Sequence, residues 1–431
     1  MGNRLRGRAV LLLAVGLLVA GCSPAGSTLK EVVAVPADAP TITAALQLVQ
    51  PGGLVLVSPG VYTESVIIDV EDVTLRGTDR NGVIIDGEGL RPQGVLVVAN
   101  GVTVENLTVR SHTFNGVLVT GLYDGTNAEA HGVDGYNGLD TEKFPPLQRF
   151  DINHVTAYNN GLYGIYAFDS QHGSITDSYA SGSADSGFYV GQCQECDILV
   201  QGNIAENNAI GFENANASDS LYILGNRWSS NRVGMTLISN YQEAFVPQRA
   251  TVVAGNLISD NMSAESPTQA DGGFGIGLGI AGGQQNQVLN NRIAGNARAG
   301  VILNNSEDIS AIGNAFTGNQ FADNGLDIID TSAARAPSSA TCISGLAVIL
   351  PAALAATPCD PTGAAVAGEN PSALPLLDVP AGMSFLKIPA PPAQPSKTGA
   401  LDTVPPRLPG AVTMPDVASF GVPAADFLAA P

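Results

Sequence analysis

A line of about 23 residues recurs along the middle of this chain. Each copy holds an apolar β-run, a turn rich in asparagine, and a glycine that opens a second β-run; copies cover 153–168, 176–191, 201–215, 224–239, 289–304 and 312–329. The opening glycines are Gly164, Gly187, Gly211, Gly234, Gly277, Gly300 and Gly325, and upstream Gly94 and Gly116 continue the series. A period near 23 with short alternating β-runs and no helical limb describes a parallel β-helix. Each turn of chain is one coil, stacked ~4.8 Å above the last. About ten coils would make a rod roughly 48 Å long. Leucine-rich repeats share the period but need a leucine consensus that is missing here. The two long steps, 116 to 164 and 234 to 277, predict insertions at 122–148 and 240–273.

The composition fits such a rod. Of 431 residues, 50 are Gly and only 13% are charged, against about 25% charged in an average domain. Hydrophobic residues make up 45%, enough for a long core and too many for a disordered chain. Turn asparagines at Asn203, Asn226, Asn256, Asn291 and Asn314 are placed to stack coil over coil, because a side-chain amide both donates and accepts along the axis. The net charge of −20 argues against nucleic acid, which requires a basic face.

The first 21 residues resemble an export signal. Arg4, Arg6 and Arg8 precede the apolar run Ala9–Ala20, which is too short to span a bilayer. Val19-Ala20-Gly21-Cys22 resembles the lipobox of bacterial lipoproteins. The resemblance implies cleavage before Cys22, lipidation of that cysteine, and an exported protein anchored to the cell membrane or envelope. Loss of the leader removes three arginines and no acid, so the mature chain is more negative still. In an oxidising compartment the other four cysteines are expected to form disulfides, Cys193–Cys196 and Cys342–Cys359. Cys193-Gln-Glu-Cys196 would otherwise suit a redox pair or half a zinc site, but no second pair stands at zinc spacing. The expected layout is a linker at 22–34, the β-helix at 35–330, a C-terminal cap at 331–360 and a Pro/Ala-rich tail at 361–431.

Pro40 to Val49 reads as a short amphipathic helix with a Thr cap, closed by Pro51-Gly52-Gly53. This helix would cover the open first coil. Thr41-Ile42 through Ala45-Leu46, then Pro51-Gly52-Gly53-Leu54-Val55-Leu56-Val57-Ser58-Pro59-Gly60-Val61-Tyr62-Thr63-Glu64, is similar to the opening of the pectate-lyase-like right-handed β-helix superfamily. That group includes pectin-processing enzymes, alginate epimerases and periplasmic copper-maturation proteins. The resemblance covers about 35–330 and implies the right hand, which periodicity alone does not show. The implied class is all-β, a single-stranded right-handed parallel β-helix with an N-terminal capping helix. Its members differ in activity, so function has to come from the site.

Alignment on the glycines sorts side chains by direction. Ile165, Phe188, Phe212, Met235, Leu278, Val301 and Leu326 should point inward. Tyr166, Tyr189, Glu213, Thr236, Gly279, Ile302 and Asp327 should point outward. Asp169, Gln192, Asn216 and Ser239 should share the next corner, with Asp185 and Arg232 at the preceding one. Polar and aromatic density peaks between 154 and 243. Exposed aromatics beside carboxylates suit a sugar, and glycoside hydrolysis needs two carboxyls with one protonated. Asp169, Asp185, Glu213 and His172 are the catalytic candidates. Tyr166, Tyr189, Gln192, Asn216, Arg232 and Lys143 are the substrate-binding ones. Tyr166-Ala-Phe-Asp169-Ser-Gln-His172 also resembles the Tyr-Gly-Phe-Asp-Pro-His motif of alginate C5-epimerases, although the Pro is missing and the Asp-to-His spacing is one residue longer.

The expected function is a cell-surface lipoprotein that binds or processes an extracellular polysaccharide as a hydrolase, lyase or epimerase. The rivals are a non-catalytic scaffold or adhesion module and a copper-delivery protein. Copper is poorly served by four His (His112, His131, His154, His172) and five Met. No motif specifies a metal; Ca²⁺ is the ion that the five acids between Asp124 and Glu142 would suit, without EF-hand spacing. The expected partners are a polysaccharide and, through Cys22, the membrane. The chain is expected to be a monomer.

Overall fold

A computed structural model describes residues 28–125, 140, 142–359, 366–367 and 374–429. The alternating apolar runs form strands that pair in parallel with the strand one coil away. Each coil visits three faces in turn. The first face is an 11-stranded sheet from Val66–Ile68 through Ile165–Phe168, Ser186–Gln194, Ile210–Ser218 and Val233–Ile238 to Ile349–Leu350. The second and third faces share a 20-stranded sheet, because Val102–Arg110 and Leu147–Tyr158 run through both.

The expected capping helix is Ile42–Leu46 (α1), started by Thr41, whose hydroxyl accepts from the Ala44 amide. Ile42, Ala45 and Leu46 bury against the first coil. The strand Lys30–Val35 begins inside the stretch read as linker and pairs with Leu54–Val57. Its Val33 and Val35 are fully buried, so the rod starts earlier than its glycine repeat.

Inward residues fill one continuous core. Ile165, Phe188, Phe212, Met235, Leu278 and Val301 stand in register and are buried. Trp228 packs between Phe188 and Phe212, with centroids 5.4 and 5.5 Å away. The last of the coils aligned on a glycine departs from that alignment. Val301 pairs with Ile328 and Ile302 with Ile329, so Leu326 and Asp327 fall two residues early, outside both columns.

Two corners are held by asparagine ladders. In one, each backbone amide of Asn203, Asn226, Asn256 and Asn291 donates at 2.9 Å to the next side-chain carbonyl, ending on Asn319. Asn208, Asn231, Asn261, Asn296 and Asn324 repeat this at the next corner. Asn314, expected in the first ladder, instead accepts from Asn286 at a third corner. The residue before each ladder asparagine is left-handed, as at Gly225 and Gly255, where glycine has no Cβ to strain.

The disulfides Cys193–Cys196 and Cys342–Cys359 are both formed. The stretch read as one insertion at 240–273 is two. Strands Val252–Ala254 and Leu257–Ser259 split it into 239–251, between the first and second faces, and 260–275, between the third and first. Beyond 374 the tail lies along the rod. Ile388 and Gln394 bond Asn159 and Asn81 on the way toward the N-terminal coils. Val412, Phe420 and Pro423 then return to Asp197, Asn290 and Arg292.

Candidate functional site

The outward column of the first face runs Leu96, Leu118, Tyr166, Tyr189, Glu213, Thr236, Gly279 and Ile302, each paired with the next. The alignment on glycine thus locates the column. Exposure differs from expectation. Tyr166 and Tyr189 are only 1% and 2% exposed, packed edge-to-face at 4.7 Å with Tyr163 against both. Leu122, Tyr123 and Phe144 of the first insertion cover them. The tyrosines therefore form a small apolar cluster instead of an open platform for sugar rings. Gly191 makes room for it, since a Cβ there would meet the Tyr189 ring at 2.4 Å.

Gln192 and Asn216, read as substrate ligands, anchor the 239–251 segment. Gln192 accepts from the Ala244 amide. Asn216 donates to the Asn240 and Glu243 carbonyls and accepts from the Asn240 amide. This anchoring brings Glu243 over Tyr189, whose hydroxyl donates to it. Arg232 is also buried, 1% exposed. It donates to Ser266 and lies 5.5 Å from the Phe274 ring, and so braces the 260–275 segment. His172 turns onto the second face and pairs with Asp197 at 2.9 Å. Lys143 is exposed and stacks on Phe144.

Asp185 and Glu213 do come together. The Ser186 hydroxyl lies against both carboxyls, which keeps them within roughly 6 Å of each other, since one hydroxyl reaches no farther. Removal from water, opposed by Ser186, pushes Asp185 up to about 6. Removal from water and then the charge of Asp185 push Glu213 well above the usual carboxylate range. Glu243 and Asp271 add repulsion at Glu213. Asp169 stands apart, three residues along the strand and two coils away, or roughly 14 Å. It is fully buried, neither oxygen has a hydrogen-bond partner, and burial pushes it up to about 7. Sequence reading missed Ser186 and Asp271, and it offered Glu243 only as part of a loop beside the tyrosine face. Glu243 and Asp271 sit in the insertions, where no repeat register assigns direction.

Among the described residues, no three His, Cys, Asp or Glu come together to hold a metal ion. Cys22, His131 and Asp134 lie outside the described residues. Two hollows lie at the ends of the rod, one lined by Leu46, Gln47 and Asp69, the other by Asp330, Ser338 and Pro351. The carboxyl pair instead sits on the open first face.

The family described as right handed beta helix region matches residues 60–248. The residues it matches form a right-handed parallel β-helix. No curated protein matches it by sequence. Among solved structures, the A-module of the Azotobacter vinelandii mannuronan C-5 epimerase AlgE6 is 16% identical, covering 69% of this chain and 80% of its own, with a TM-score of 0.48. The pectate lyase Pel9A is 15% identical over 74% and 78%, with a TM-score of 0.41. An alginate lyase from a Paenibacillus species is 11% identical over 65% and 91%, at 0.31. No residue role is carried over from these structures. In this β-helix, two neighbouring carboxyls, Asp185 pushed up to about 6 and Glu213 pushed well above its ordinary range, form a pair suited to acid–base work.

Proposed function

We propose that this β-helix processes an extracellular polysaccharide on its first face, with Glu213 as the acid and Asp185 as the base or nucleophile. The carrying observation is the Ser186-bridged pair, whose environments drive both carboxyls upward by unequal amounts. A carboxyl separation of about 5–5.5 Å suits retaining hydrolysis and about 6.5–9.5 Å suits inversion. The Ser186 bridge holds the nearest carboxyl oxygens within roughly 6 Å, a spacing on the scale of both. The lipobox-like Val19-Ala20-Gly21-Cys22 supports placement of the rod on the outside of a cell membrane, held by lipid on Cys22. No described helix is long and apolar enough to cross a membrane.

The test is a polysaccharide panel read both by new reducing ends and by absorbance at the wavelength of unsaturated uronates. The proposal expects reducing ends without unsaturation, with Glu213→Gln and Asp185→Asn each losing at least 100-fold. Unsaturated products would point to elimination and remove the hydrolytic assignment. A second reading, a non-catalytic scaffold, is favoured by the burial of Tyr166 and Tyr189. It predicts no turnover on any member of the panel.

A further inference from the structure

Between Tyr189 and Ile329 the outward column of the first face forms a short slot. Its floor is Glu213, Thr236, Gly279 and Ile302, each in register with the next. Glu213, Gly279 and Ile302 are half-buried, and a Cβ on Gly279 would meet only the Thr236 methyl, at 3.6 Å. Both ends of this floor are shut. Tyr189, the register neighbour of Glu213, is 2% exposed. Glu243 sits on its hydroxyl, and Tyr163, Leu122 and Phe144 belong to the cluster packed around it. Ile329, the register neighbour of Ile302, is 4% exposed and clusters with Leu326, Val348 and Leu374 of the tail. The sides are walled as well. On one, the 239–251 segment is tied to the next turn by the Tyr241 hydroxyl, which donates to Asp308. On the other, the tail pins the 260–275 segment, because the Met383 amide donates to the Ser266 carbonyl at 2.9 Å. Gly382 lies so close that a Cβ there would meet the Thr268 hydroxyl at 2.0 Å. From Glu213 to Ile302 the floor advances by three coil steps, roughly 14 Å.

Resting on the polysaccharide reading, we propose that the slot admits the end of a glycan chain, so that the protein trims terminal units instead of cutting within the chain. The carboxyl pair stands at the tyrosine end of the slot, since Asp185 directly precedes the strand that carries Tyr189 and Glu213 lies one coil on. A sugar seated at the pair has the roofed Tyr189 directly behind it. A strand of glycan running on along the rod would have to pass through that roof, whereas a chain end need only reach it. The rest of the ligand lies over Thr236, Gly279 and Ile302 and leaves over the rim before Ile329. Pyranose units repeat at about the coil spacing, so the floor holds only a few of them. Each release consumes one water. Glu213 gives its proton to the leaving oxygen, the anomeric carbon gains the hydroxyl of the water, and the water's other proton leaves by way of Asp185 and restores Glu213.

The experiment takes the member of the polysaccharide panel that the full chain cleaves and follows its early products by mass spectrometry and the polymer by viscosity. The expected result is mono- and disaccharides from the outset with viscosity nearly unchanged. The same polymer shortened beforehand to about a tenth of its length should turn over roughly tenfold faster at equal mass, since the slot reads ends and not internal bonds. Phe144→Ala thins the roof from its half-buried outer side and should lengthen the first products while the melting temperature holds. First products of unchanged length from that folded variant would overturn the roof as the boundary; should it fail to fold, the wild-type product pattern decides. Rapid viscosity loss with long early products overturns the chain-end assignment, and where Glu213→Gln abolishes that loss the polysaccharide reading stands. If no member of the panel is cleaved, both fall.

Discussion

Asn256 is bonded on every side. Its side-chain oxygen accepts from the Asn226 amide and side chain, and its own amide group donates to the Ile223 carbonyl and to Asn291. Asn256→Ala would orphan several fully buried groups at once, each costing about 1–3 kcal/mol. A loss of roughly 2–4 kcal/mol is expected, read by calorimetry as a lower melting temperature. Asn324→Ala, at the half-buried end of its ladder, should lose less. Asp169 is the opposite case, a buried carboxyl with no partner. Its folded pKa of about 7 lies above the ordinary 3.8, so between those values the folded chain holds a proton that the unfolded chain has released. Stability therefore falls as pH rises through that window, and the full penalty stands above about 7. Asp169→Asn removes it. The variant should melt above the wild type at pH 8 and converge with it below pH 4. A variant that melts lower at every pH would assign Asp169 a structural role as a carboxylate.

The insertions decide what the first face presents. The 239–251 segment hangs on Asn216, Gln192 and the Tyr189–Glu243 bond. Asn216→Ala should release it, with faster proteolytic cleavage within 240–247 and little change in the melting of the rod. Unchanged cleavage would show that the other contacts suffice. The column of Tyr166, Tyr189, Glu213 and Thr236 was legible because strand residues alternate and the glycine fixes the phase. Their burial was not legible. It depends on where Leu122, Phe144 and Glu243 fold back, and an insertion carries no period from which to read direction. Asn314 shows a related limit, because three corners each prefer asparagine and spacing alone does not say which corner a residue occupies. The shift at Leu326 arises because Asp327, and not Gly325, takes the glycine position of that coil.

Along the whole molecule, the tail ties distant coils together. Glu105 is buried between Arg76 and Lys397, and Arg76 also donates to the Leu401 and Thr403 carbonyls. Burial alone would push Glu105 up, but the hydrogen bonds from Lys397 and Arg76 outweigh it and hold the carboxyl below its ordinary 4.5. A depressed folded pKa contributes stability above the unfolded value and loses it as pH falls through the folded one. Hydrogen exchange should show the 395–412 stretch protected near neutrality and released as pH falls below the ordinary carboxylate range, while the central coils stay protected. Seventeen of the 27 prolines fall in 331–431. That composition predicted an extended tail, but its route depends on single long-range partners that no pattern encodes. The net charge of −20 acquires a local counterpart in the carboxyls gathered around Glu213. The most direct test of that site is the pH dependence of kcat/KM on whichever polysaccharide the chain cleaves. The account predicts a bell with an acidic limb near 6, set by Asp185. Glu213→Gln should remove the alkaline limb and most of the rate. A flat profile, or a Glu213→Gln variant with wild-type rate and profile, would contradict it.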